Sequence, residues 1–290
     1  MHTDYVSVIE NLCTQEELST LARNLYSAYQ PFHIDIQVWE TIQRVFPKEI
    51  YAAIEPFKKV VVGHNIVNDL VLKHFPGECT IKYHFIKNYL NRSDEVSTFE
   101  MNVGSSRLDI GRINGKSHAY EIKTELDSLD KLDKQLQDYS KVFDFIHVVA
   151  HVKHLNKVIE QVPEQCGIIS FRNDKGKWKF YTRRKATQNT AIDPAVQLQC
   201  LTSKELDQLI RHSGYKESPV GRSNKEDFIL HKLDAEKINH LFKNLIKKRF
   251  QKRWDHIGKH FDKINPIDLQ IFFRTEADPY WVYYKNSSMV

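Results

Sequence analysis

The sequence predicts a mixed α/β fold: a helix, a three-strand meander, a second helix and a further strand, with helical N- and C-terminal additions. Three observations carry this prediction. Ser97–Val103, Ser106–Ile113 and His118–Lys123 are short strand-like runs, and Asn114-Gly115 between the last two is a strong hairpin signal. Leu129, Leu132, Leu136, Tyr139 and Phe143 then recur at helical spacing. The apolar run Phe145–Val152 follows, so a helical crossover returns the chain to the sheet.

In chain order, residues 1–75 read as mostly helical. Glu16–Tyr29 carries an apolar stripe, and Thr14 with Glu17 three residues later forms a capping box. Phe57–Val62 is a short apolar run that reads as a strand. Pro76-Gly77 breaks the chain, and Glu78–Leu90 is the helix that opens an α/β core over 76–186. Gly167–Phe171 and Trp178–Thr182 flank Asn173-Asp174-Lys175-Gly176, a second hairpin. From 187 to 290 the chain turns helical again, through Ser203–His212 to a basic segment and an aromatic tail. At 290 residues the chain exceeds the roughly 100–200 of one average domain, as this division requires.

Composition narrows the class. Hydrophobic residues at 41% and charged residues at 27% are ordinary globular usage, which argues against disorder. No stretch approaches the roughly 18 apolar residues of a membrane-spanning helix, and the start MHTDYVSVIENLCTQEE lacks the plan of a secretion signal. A cytoplasmic protein without a membrane partner is expected. Four dispersed cysteines without a CxxC pair point to reduced thiols. The charge is localised: between Lys232 and Lys263 ten basic residues oppose four acidic ones, which accounts for the whole formal excess of +5. Ile238, Leu241, Phe242, Leu245, Ile246, Phe250, Trp254, Ile257 and Phe261 interleave with them as an amphipathic helix. Its basic face, with Lys247, Lys248, Arg249 and Arg253, fits phosphate contacts or a merely solvated surface.

The chemistry concentrates on two strands. Side chains alternate along a strand, so Glu121 and Lys123 emerge on one face. The Asn-Gly hairpin lays Asp109 beside Glu121. Two carboxylates and a lysine thus converge, and hard divalent cations such as Mg²⁺ take oxygen ligands of this kind. Gln135 and Tyr139, one helical turn apart, add polar groups on a common face. Solvated strand charges are the alternative for the trio. Glu78 either points at this site or stabilises its helix N-terminus. His147, His151 and His154 fit a core or cap role better than a zinc site, because no cysteine or activating acid accompanies them. Arg183-Arg184-Lys185 is surface or nucleic-acid contact.

Phe99-Glu100, Arg107-Leu108-Asp109, the Asn114-Gly115 turn, Glu121-Ile122-Lys123, Gln135 and Tyr139-Ser140-Lys141-Val142-Phe143-Asp144 together resemble the PD-(D/E)XK nuclease superfamily, most closely its Sce-type bacterial group. The resemblance covers about residues 76–172 and implies a restriction-endonuclease-like core. It further implies a metal-dependent nuclease that hydrolyses phosphodiester bonds, with Mg²⁺ or Mn²⁺ held by Glu100, Asp109, Glu121 and the carbonyl of Ile122. Asp109, Glu121 and Lys123 would be catalytic, and Arg107, Gln135 and Tyr139 would face the nucleic acid. DNA is favoured over RNA on family analogy, and so is a bacterial or phage setting such as mobile-element conflict or repair. Leu108 stands where the superfamily's name has Pro, and Lys131 where Arg is expected, with loss of bidentate reach. The alternative is a catalytically silent module that binds nucleic acid or protein. A regulatory partner acting through the N-terminal helices would fit either reading.

Overall fold

The computed structural model describes residues 4–90, 92 and 94–285. The chain forms two compact units, residues 1–87 with 256–290, and residues 88–255. Helices run in the order α1 (Tyr5–Leu12), α2 (Gln15–Ala28), α3 (Asp35–Val45), α4 (Lys48–Ile54), α5 (Gly63–His74) and α6 (Glu78–Ile86), then α7 (Leu132–Ser140) and α8 (Leu155–Gln161). They continue as α9 (Pro194–Gln199), α10 (Ser203–His212), α11 (Arg222–Lys232), α12 (Ala235–His260) and α13 (Leu269–Thr275). The strands are β1 (Val96–Val103), β2 (Ser106–Ile113), β3 (Ser117–Lys123), β4 (Phe145–His151), β5 (Gly167–Asp174) and β6 (Lys177–Arg184).

The first unit is helical. Leu18, Leu21 and Leu25 of α2 pack with Trp39, Ile42, Ile66, Val67 and Leu70 in one buried cluster. Thr14 caps α2 through the expected reciprocal box with Glu17. The strand expected at Phe57–Val62 is instead a 3₁₀ turn at Glu55–Lys59. Pro56 near its start presets a helical φ, and Val60 is left 80% exposed with no ladder to join. Among the described residues no helix is long and apolar enough to cross a membrane.

The second unit holds a mixed six-stranded sheet in the order β1-β2-β3-β4-β5-β6. The pairs β1–β2 and β2–β3 are antiparallel, β3–β4 and β4–β5 parallel, and β5–β6 antiparallel. The meander, its crossover helix α7 and the following strand therefore stand in the expected order. Helix α7 starts three residues later than its apolar spacing suggests. Asp127 instead accepts the Thr124 backbone N–H at 2.7 Å, which holds residues 124–127 in a turn. Strand β3 is buried along nearly its whole length, as a strand between two others and under helices must be.

One buried carboxylate ties this unit together. Asp144, 1% exposed, accepts from the Ser117 N–H at 2.7 Å and from the Ser117 hydroxyl, Asn239 and Lys243 at 3.0–3.1 Å. These hydrogen bonds hold the carboxyl below the ordinary carboxylate range against the opposing effect of burial. Lys243 therefore leaves the expected basic outer face of α12 and turns inward.

Candidate active site

The site is built where β2 and β3 part. Their ladder runs from Ile113–Ser117 to Ile110–Tyr120, and the next residues along each strand are Asp109 and Glu121. Beyond that point the Asp109 carboxylate accepts the Ile122 backbone N–H at 2.7 Å. Asp109 and Glu121 are buried, at 8% and 2% exposure.

Glu121 is held from two sides. Lys123 Nζ lies 2.9 Å from its Oε1 and 2.9 Å from Gln135 Oε1 on α7. The Tyr139 hydroxyl, also on α7, lies 2.7 Å from Glu121 Oε2 and 3.0 Å from the Arg107 carbonyl oxygen. Burial, then the Glu121 carboxylate, push the Tyr139 phenol far above its usual range, so it stays a donor. Gln135 and Tyr139 face the strands because four residues bring both to one side of α7.

The third carboxylate arrives on a distorted strand. Glu100 has φ +57°, a left-handed conformation that costs a non-glycine residue roughly 1–2 kcal/mol. The flanking pairs Phe99–Ile110 and Met101–Leu108 set Glu100 opposite Asp109, and a carboxylate oxygen of each lies within 4.8 Å of the other. Arg107 Nε bonds Glu100 Oε2 at 2.6 Å, while 67% of the arginine side chain remains exposed. Sequence reasoning missed Asp138, which accepts from the Ser105 and Ser106 hydroxyls at 3.0 and 2.7 Å and braces the β1–β2 turn. Its place next to Tyr139 on α7 was the available signal.

The structure thus brings Glu100, Arg107, Asp109, Glu121, Ile122, Lys123, Gln135 and Tyr139 to one end of the sheet. It does not bring the basic residues of α12 into this group. The Arg249 guanidinium is taken by both Glu205 oxygens, with Nε at 2.7 Å, and by the Cys200 carbonyl at 3.0 Å. Lys247 donates to the Asp94 carbonyl at 2.7 Å. Lys248 is exposed and Arg253 half-buried.

Two histidines form a separate half-buried stack. His147 Nε2 lies 3.3 Å from His118 Nδ1, and its ring stacks on Tyr120 at 4.5 Å. Burial, reinforced by charge repulsion, pushes His147 down to about 3 and His118 down to about 4. His151 stands apart with its ring against Phe171 at 5.6 Å, so His147, His151 and His154 make no ligand cluster among the described residues. All four cysteines are free thiols.

Comparison with known proteins gives one family. The family model described as Bacteriophage P4 protein cII matches residues 78–272, which takes in the whole candidate site. "Protein cII" of Enterobacteria phage P4 is 25% identical over 170 residues, covering 59% of this chain and 64% of that relative. No solved structure matches. The chain, matched by this model over more than half its length, belongs to the bacteriophage P4 cII protein family.

Proposed function

We propose that the protein is a metal-dependent nuclease that cleaves phosphodiester bonds in nucleic acid, with DNA as the favoured substrate and a restriction-endonuclease-like core. The observation that carries this reading is the convergence of Asp109, Glu121 and Lys123 under α7, all three 8% exposed or less. Buried charges are costly unless they serve each other or a ligand. Perturbed and strained groups gather at functional sites, and Glu100 adds backbone strain to the same place.

The donor set fits a hard divalent cation. Glu100 and Asp109 offer carboxylate oxygens within 4.8 Å of each other, and Glu121 stands opposite Asp109 on the neighbouring strand. Mg²⁺ or Mn²⁺ bound there supplies charge neutralisation at the phosphoryl oxygens. The chain's own groups do the rest. Asp109 is oriented by the Ile122 N–H, and Glu121 by Lys123 and Tyr139. Lys123, steadied by Gln135, keeps an ammonium beside the carboxylates, where it can orient water and offset developing negative charge. Arg107 leaves most of its side chain exposed for a backbone phosphate.

A second reading, a catalytically silent nucleic-acid or protein-binding module, is favoured by one observation. Both Glu121 oxygens are already satisfied by Lys123 and Tyr139. The test is cleavage of a mixed DNA and RNA panel with and without Mg²⁺, comparing the full chain with Glu121→Gln and Lys123→Ala. Metal-dependent cutting lost in both variants supports the nuclease. Variants that cut like the wild type, or a wild type that binds but never cuts, would defeat it.

A further inference from the structure

The outermost strand carries charge that the candidate site does not use. β6 closes the sheet on one side, paired to β5 through a two-residue turn, Lys175-Gly176. Both turn residues have positive φ, +51° and +82°, the geometry of a tight type I′ hairpin. Alternation splits the ribbon into two chemically different faces. Phe171, Trp178 and Phe180 pack together on one, with Phe171 fully buried. On the other, Lys177, Lys179 and Tyr181 alternate along β6, and Arg172 sits opposite Lys179. Arg183 joins that face at a bulge and donates to the Ser170 hydroxyl at 2.7 Å.

Arg172, Lys177, Lys179 and Arg183 are all exposed, and Asp174 is the one acid among them, paired with Lys179 at 2.5 Å. Edge strands carry lysines to block unwanted pairing, which explains some of this charge. It does not explain the arginines. Both guanidinium groups are drawn over the Tyr181 ring, Arg183 at 5.2 Å and Arg172 at 5.8 Å from its centroid. The tyrosine thereby gathers two planar cations at the middle of the ribbon, whereas charges that only discourage aggregation need no such ordering.

We propose that the β5–β6 hairpin is a second nucleic-acid contact, a basic ribbon that enters the major groove of duplex DNA, and this rests on the nucleic-acid reading above. β4 pairs with β5 only as far as Phe171, so residues 172–179 run on beyond it as a two-stranded ribbon, and two strands about 4.8 Å apart fit a groove about 12 Å wide. The occupant follows from charge: four cations against one acid select a polyanion, and a narrow, twisted ribbon suits a duplex groove. The ribbon supplies affinity and orientation, while the carboxylates lie on other strands of the same sheet.

The experiment measures binding of the full-length protein to a mixed-sequence duplex, by fluorescence anisotropy in EDTA, between about 50 and 200 mM salt. A variant with Arg172→Gln, Lys177→Gln, Lys179→Gln and Arg183→Gln should bind at least about tenfold more weakly. Its plot of log affinity against log salt should be shallower by about 3.6, at about 0.9 for each of the four lost phosphate contacts. Arg172→Lys with Arg183→Lys keeps the charge and should retain the wild-type salt slope, and thermal melting should confirm that both variants fold. Wild-type affinity and slope in the quadruple variant would overturn the proposal. So would an equal loss on single strands and duplex, or no duplex binding by the wild type. Weakened duplex binding in the quadruple variant, with no metal-dependent cutting by the wild type, would uphold the ribbon and reject the nuclease.

Discussion

Asp109 on β2 accepts the backbone N–H of Ile122 on β3, at 2.7 Å, just past the last ladder pair of the two strands. A side chain has taken over a job that a strand carbonyl would otherwise do. The contact separates two roles of the same residue. Asp109→Ala strands a buried N–H and should cost about 1–3 kcal/mol of stability. Asp109→Asn retains an amide oxygen for that N–H and should stay near wild-type stability, yet lose metal-dependent cleavage. Urea unfolding and cleavage assays read the two separately. Equal destabilisation by Ala and Asn, or full activity in Asn, would refute the separation.

Tyr139 makes a comparable prediction at Glu121. Its hydroxyl contacts a buried carboxylate at 2.7 Å. Tyr139→Phe removes that donor without emptying the space and should cost about 1.5–3 kcal/mol, the range for hydrogen bonds to charged groups. Cleavage should fall with it, because Glu121 then loses the hydroxyl that holds its Oε2. Chemical denaturation that shows no loss would make the contact incidental.

The histidine stack predicts a pH dependence with a definite sign. His118 and His147 ionise at about 4 and about 3 in the folded chain, below the roughly 6.5 of an unfolded histidine. The unfolded state therefore takes up protons first as pH falls. Stability from keeping them neutral is complete above about pH 6.5 and drains away as pH drops towards the folded values, on the order of a few kcal/mol in all. His147→Phe should flatten part of this slope. Denaturation curves between pH 7.5 and 4.5, bracketing the roughly 6.5 of the free imidazole, give the comparison, and parallel slopes would discard the assignment.

Gly111 tests the packing behind the site. A methyl there would lie 2.8 Å from Thr98 Cγ2, which is itself buried. Gly111→Ala should cost about 1–3 kcal/mol through overpacking. Adding Thr98→Ser removes the clashing methyl and should restore part of that loss in a double-mutant cycle. Strict additivity of the two changes would place the strain elsewhere.

Local signals were legible, and distant partnerships were not. The Asn114-Gly115 turn, the strand alternation around Glu121 and Lys123, and the stripe through Leu132, Leu136 and Tyr139 encode the meander and its crossover helix within short windows. Gln135 and Tyr139 were legible for the same reason. Phe57–Val62 misled because an apolar run is ambiguous until a neighbouring strand is known. The basic stripe of α12 concealed its inward members, since Lys243 pairs with Asp144, 99 residues earlier, and Arg249 with Glu205, 44 residues earlier. No periodicity reveals which cation will find such a partner. The left-handed turn at Glu100 was equally hidden, because nothing about glutamate announces it.

The Asp144 junction bears on how the polypeptide matures during synthesis. Ser117 is available early, but Asn239 and the counter-charge Lys243 emerge about a hundred residues after the carboxylate they bond. A nascent chain must therefore carry an uncompensated anion at the seam of its sheet until α12 has left the ribosome. A product stopped before residue 239 should show fast amide exchange at Ser117 and protease sensitivity that the finished protein lacks. The final long helix would then serve as the latch that tells a complete molecule from an aborted one.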